Sequence, residues 1–182
     1  MKNAGTQSIN TKRLFLRRIT IDDAQAMFNN WACNAEVTKY MRWKAHRDIE
    51  TTKFVINLWL KEYDSNDVYR WGIVYKENGE LIGAIDVVSP DKVTQSAQIG
   101  YCLSKMYWNK GIMTESLKEV INYLFSKTDI KKTESWHHID NQASGKVMLK
   151  SGMQFKEIKK DGDKDNNGNL CTIAVYELLK AL

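Results

Sequence analysis

Proline is almost missing from this chain: Pro90 is the only one in 182 residues. That excludes a polyproline or proline-stiffened linker, and no repeat or low-complexity tract takes its place. Cysteine is also scarce. Cys33, Cys102 and Cys171 are far apart, odd in number and without a CxxC, so neither a disulfide framework nor a zinc site is expected. No apolar run reaches the roughly eighteen residues of a membrane span. The first residues are polar and lack the apolar core of a signal peptide, which points to the cytoplasm. The net charge of +5 suits an acidic ligand, but the basic residues are dispersed and name none.

Apolar content of 43% with 27% charged residues describes one globular domain over 1–182, with about the first ten residues as a flexible extension. Periodicity predicts strands over 12–19, 69–75, 81–88, 97–103, 132–138, 155–159 and 171–179. Helices are expected over 20–28, 36–41, 48–63, 113–125 and 143–150, the third with Phe54, Val55, Leu58 and Trp59 at helical spacing. Pro90 is placed in a connection, and 161–169 in a polar loop. The fold class is α+β: a mixed, mainly antiparallel seven-stranded sheet with helices on both faces.

One stretch carries chemistry. Gln98 to Leu103 is an apolar strand, a short loop follows, and a helix restarts directly after Gly111. Such a junction aims unpaired N–H groups and a helix dipole at one point, which suits a pyrophosphate. A second constellation, Asn141-Gln142-Ala143-Ser144, lies between strand and helix; Asn141 reads as an N-cap or turn residue, and Ser144 as a hydroxyl free to face a cleft.

Gly100-Tyr101-x-Leu-x-x-x-Tyr-Trp-x-Lys-Gly-Ile-Met-Thr-Glu, followed by Asn141-x-x-Ser144-x-x-Val147-x-x-Lys150-x-Gly152-Met153, resembles the GNAT acetyltransferase superfamily. The likeness is closer to its RimJ/RimL-type branch, which includes ribosomal-protein N-terminal acetyltransferases, and it spans nearly the whole chain. The resemblance implies a sheet splayed after its fourth strand, with acetyl-CoA in the V. Pantetheine would pair near Ile99, Tyr101, Cys102 and Leu103. Pyrophosphate would meet Trp108, Asn109, Lys110, Gly111, Ile112, Met113 and Thr114, and Asn141 and Ser144 would complete the donor site. Of the family signature Gln/Arg-x-x-Gly-x-Gly/Ala, only the central glycine is kept, since Trp108 and Met113 fill the outer positions.

The implied reaction is direct acetyl transfer to an amine, either a protein N-terminus or a small molecule. Backbone around Tyr101 or Cys102 would meet the oxyanion. The tyrosine many members use as acid is Met148 here, which leaves Ser144 as the candidate. Gln98 stands where relatives carry a glutamate base; Asp86 and Asp163 are candidate replacements, and Trp43 a candidate wall of the acceptor pocket. Most other tryptophans read as core. Relatives of this branch are often dimeric, and this leaves a homodimer open.

Three further signals point elsewhere. Asp163-x-Asp165-x-Asn167-Gly168 opens like a calcium loop but has Ala174 at its twelfth position, so no metal is expected. His137 and His138 are strand neighbours on opposite faces, so at most one should line the cleft. The rival function is a non-catalytic RNA- or ribosome-binding module using Lys39, Arg42, Lys44 and Arg47 with Lys146, Lys150, Lys156, Lys159 and Lys160. Nucleic acid is not the expected partner.

Overall fold

A computed structural model describes residues 4–181. Its eight strands are β1 (Ile9–Asn10), β2 (Leu14–Arg17), β3 (Arg70–Tyr75), β4 (Glu80–Asp91), β5 (Ser96–Leu103), β6 (Lys132–His138), β7 (Gln154–Lys164) and β8 (Leu170–Leu179). They form one sheet in the order β1-β2-β3-β4-β5-β6-β8-β7, antiparallel except between β5 and β6. The helices are α1 (Ala24–Met27), continued as a π-helical turn over Phe28–Ala32, α2 (Ala35–Thr38), α3 (Ile49–Glu62), α4 (Ile112–Lys127) and α5 (Gln142–Lys150).

The sheet separates two cores. On one face Leu14, Leu16, Trp71 and Ile85 pack against Leu117, Val120, Ile121 and Leu124 of α4. On the other, Ile19, Val74, Leu81 and Ala84 pack against Met27, Trp31 and Ile56 from the α1–α3 layer.

The parallel β5–β6 pairing holds only from Ser96 to Gln98, opposite Lys132 to Glu134. Beyond Gln98 the strands part, and the V this opens is the splay expected after the 97–103 strand. Ser135 Oγ donates to Ile99 O at 2.8 Å where they diverge.

Several expectations are corrected. There are eight strands rather than seven, because 9–10 pairs with 15–16. Pro90 lies within β4, paired with Ala97, and β7 takes up the start of the expected polar loop. The third helix buries Thr52 and Ile56 while Phe54 and Leu58 are exposed. Of the expected flexible extension, residues 1–3 lie outside the described residues. The rest is tied down: Tyr123 Oη donates to Gly5 O at 2.7 Å and Trp71 Nε1 to Gln7 O at 2.7 Å.

Candidate active site

Antiparallel alternation decides what β5 offers the V. Ser104 N–H donates to Ile82 O at 2.8 Å, and the register pairs Cys102 with Ala84 and Tyr101 with Ile85. The main-chain groups of Gly100 and Cys102 therefore belong to the β4 ladder, and those of Ile99, Tyr101 and Leu103 face the gap. This corrects the expected backbone role of Cys102, whose amide is turned away. Ile99 O is taken by Ser135, and Leu103 O accepts from Trp108 Nε1 at 2.8 Å. Tyr101 is left as the residue whose N–H and C=O both meet the opening.

Side chains alternate the other way. Tyr101 packs with the α4–α5 core and Cys102 with the α1–α3 core. Two cavities follow. One, of about 420 Å³, is lined by Leu103, Trp108, Asn109, Gly111, Ile112, Met113 and Thr114 with Lys146 and Lys150 of α5. The other, of about 350 Å³, is lined by Trp31, Trp43, Trp59, Trp136, Asp86, Gln98 and Ile99. Both are bordered by Tyr101, Cys102, Asn141 and Ser144, so they meet at the mouth of the V.

At that junction Tyr101 Oη lies 2.8 Å from Ser144 Oγ and 3.1 Å from Ser144 O. Burial pushes the Tyr101 hydroxyl far above the ordinary tyrosine value, so it stays protonated. Asn141 caps α5, its Oδ1 accepting Ser144 N–H at 3.4 Å. Burial also pushes the Cys102 thiol up to about 12, which makes it a poor nucleophile.

In the first cavity, Asn109 (φ 60) and Gly111 (φ 73) are left-handed, and this turn starts α4 with the amides of Ile112, Met113 and Thr114 unpaired within the helix. Glu115 would oppose an anion there, but its carboxylate accepts from Thr11 Oγ1 at 2.6 Å and Arg13 Nε at 2.7 Å. Lys110 does not border either cavity; its ammonium lies 5.3 Å from the Tyr107 ring centroid and its carbonyl accepts from Arg13 Nη1 at 2.8 Å. Lys146 and Lys150, read from sequence among the rival module's charges, supply the cavity's positive charge instead.

In the second cavity Asp86 faces Gly100 across the ladder; a Cβ there would come 3.4 Å from Asp86 Oδ1. Burial raises the Asp86 carboxyl above the ordinary aspartate value, against the pull of Arg70, whose Nε is 3.5 Å from Oδ2. Trp43 lines this cavity, and Trp31, Trp59 and Trp136 join it. Asp163 does not: it pairs with Arg42 at 2.8 Å. His137 and His138 both border the cavity, against the expectation of one, because it wraps the end of β6. Asp165 accepts from the amides of Asn167 and Asn169 within the β7–β8 hairpin. Lys156 pairs with Glu134 and Glu177, at 2.8 and 3.0 Å, so it is not free for a nucleic-acid backbone.

The splayed sheet thus sets the start of α4 on one side of its opening and the Asp86 chamber on the other. The model of the acetyltransferase (GNAT) domain matches residues 13–154, and the chain belongs to that family as an acetyl-CoA-dependent N-acetyltransferase. It is 32% identical over 174 residues to YoaA of Bacillus subtilis (strain 168), described as an uncharacterized N-acetyltransferase, covering 94% of this chain and 96% of that one. The structure of RimL, a ribosomal L7/L12 α-N-protein acetyltransferase in complex with coenzyme A, superposes with a TM-score of 0.84 at 19% identity, covering 95% and 98%. That of MccE, a microcin C7 self-immunity acetyltransferase in complex with acetyl-CoA and AMP, superposes with 0.85 at 20% identity, covering 93% and 94%. No helix among the described residues is long and apolar enough to cross a membrane.

Proposed function

We propose that the chain acetylates a primary amine, of a protein N-terminus or a small molecule, in the chamber beside Asp86, with acetyl-CoA in the cavity under α4 and α5. The observation that carries this is the meeting of the two cavities at Tyr101 and Ser144. The first cavity fits a phosphate-bearing donor: a left-handed glycine opens the helix, its first amides line the space, and Lys146 and Lys150 add charge. Acetyl-CoA supplies a thioester-activated acetyl group, which a neutral amine takes up directly with release of the thiol.

Three groups of this chain serve that exchange. Asp86, with its raised proton affinity, accepts the proton the amine must lose. The Tyr101 N–H faces the gap, which supports its meeting an acyl oxygen or the pantetheine arm. Ser144 Oγ holds a proton at the junction, and Tyr101 Oη, 2.8 Å away, can replace it. The three free cysteines fit action in the reducing cytoplasm.

Thermal unfolding with and without saturating acetyl-CoA tests the reading. Stabilisation of about 3–4 kcal/mol is expected at a hundred to a thousand times Kd. The absence of any shift would sink it.

A further inference from the structure

A chain segment crosses the opening of the chamber beside Asp86 and narrows what can enter. Residues 38–42 leave α2 on the α1–α3 side and reach across the V to β6 and the β7–β8 hairpin. Arg42 pairs with Asp163 at 2.8 Å, and its guanidinium lies 5.1 Å from the Trp136 ring centroid. The Tyr40 ring sits 5.2 Å from that of His138, and Asn166 Nδ2 donates to Thr38 O at 3.1 Å. All of these partners belong to the far half of the sheet, so the segment is a strap across the opening.

The space below it is about 350 Å³, near the lower end of small-molecule sites, which run from about 300 to 1,000 Å³. Its walls are largely aromatic and thioether side chains, among them Trp43, Tyr40 and Met41. Asp86 is the only carboxylate among the described residues that line it. The two lining guanidiniums are already engaged, Arg42 by Asp163 and Arg70 by Glu62 at 2.6 Å. An extended peptide would have to run its second and third residues through the strap, whereas a compact amine fits beneath it.

We propose that the acceptor is a compact monoamine with an aromatic or branched apolar body, held amine-first at Asp86 under the 38–42 strap, rather than the N-terminus of a protein. This rests on the acetyltransferase reading above and narrows it.

The test compares phenethylamine, tryptamine and isopentylamine with tetrapeptides beginning Phe, Ser or Ala, following thiol release from acetyl-CoA. The compact amines should show kcat/KM at least about tenfold above the peptides. Asp163→Asn, which loosens Arg42, should raise KM for the amine several-fold and retain an acetyl-CoA-induced thermal shift, although Tyr40 and Met41 of the strap also border the donor cavity. Peptides turned over as well as amines, neither panel turned over, or an unchanged amine KM in D163N would each overturn the proposal. If the acetyl-CoA thermal shift is present, those failures leave the donor site standing; if it is absent, the broader reading falls as well.

Discussion

Arg13 and Glu115 are 102 positions apart in the chain, yet the guanidinium Nε of one donates to the carboxylate of the other at 2.7 Å. The same guanidinium donates through Nη1 to Lys110 O, so one residue of the β1–β2 turn holds both the loop before α4 and the acid in its first turn. Burial alone would raise the Glu115 carboxyl, but hydrogen bonds from Thr11 and Arg13 outweigh it and leave it lowered. Its contribution to stability is therefore present above the unfolded value of about 4.3 and is lost as pH falls through the lower folded value.

Arg13→Ala should thus affect the donor site more than the fold. The pair is partly exposed, so the stability loss should be no more than about 1 kcal/mol. KM for acetyl-CoA should rise several-fold as the loop loosens and Glu115 is freed near the phosphates, with kcat nearly unchanged. Steady-state kinetics with varied acetyl-CoA checks this, and a fall in kcat at unchanged KM would contradict it.

The Tyr101–Ser144 contact makes a different forecast. Ser144→Ala removes the hydroxyl at the junction and should lower kcat by roughly a hundredfold, the lower range for a lost acid–base group, with little change in acetyl-CoA affinity. Tyr101→Phe keeps the ring and its packing but removes the replacement proton, so its loss should be smaller. If the two hydroxyls act in series, the double variant should be no slower than Ser144→Ala alone. Equal losses in kcat and in acetyl-CoA affinity for Ser144→Ala would reduce that residue to a binding contact.

How far the site was legible in the sequence follows from the reach of each signal. The strand, loop and helix around Gly111 are contiguous, and both their periodicity and the Asn141–Ser144 motif are local, so the junction and the start of α4 could be read directly. Asp86 and Asp163 could not be ranked, because their separation depends on cross-strand register: one faces Gly100, the other meets Arg42 from 121 positions away. Lys146 and Lys150 were visible as charges but not as wall, since only the burial of Gly145 and Met148 reveals which face of α5 turns inward. In α3, apolar residues occur on several faces, so periodicity picked out Phe54 and Leu58, while tertiary packing selected Thr52 and Ile56. Trp59 and Trp136 read as core because a core and an apolar chamber wall ask for the same residues, and Trp31 is both.

Asp86 should trade stability for function. Its folded-state proton affinity is raised by burial, with Glu62 adding to the rise and Arg70 opposing it, so the charged form destabilises the fold. Folded protein binds this proton more tightly than unfolded protein, and stability falls as pH rises from the unfolded value of about 3.9 through the folded one. Asp86→Asn should therefore melt at a higher temperature than the parent at pH 7, with the gap closing near pH 3–4, while kcat/KM for the amine drops by at least about a hundredfold. Melting curves across pH together with amine kinetics decide it; a variant that is both less stable at pH 7 and fully active would remove Asp86 from the base role.

The sharpest steric prediction concerns Gly145, in the first turns of α5 beside Ser144. A Cβ at this position would lie 2.5 Å from His137 Nε2 and 3.1 Å from Tyr176 Oη. His137 cannot retreat easily: it is buried, and its Nδ1 is 2.7 Å from His138 O, leaving Nε2 without a hydrogen-bond partner against the helix. Burial lowers its pKa, so the ring stays neutral at pH 7. Gly145→Ala should force α5 outward, at a cost of about 1–3 kcal/mol for overpacking, and should carry Ser144 away from Tyr101 with a loss of kcat. Removing the obstruction should undo the damage. In a His137→Ala background the same Gly145→Ala change should cost little, because the new methyl group enters space the ring has vacated. A double-mutant cycle by chemical denaturation measures this coupling directly, and additivity of the two single changes would show that α5 is seated by something other than His137.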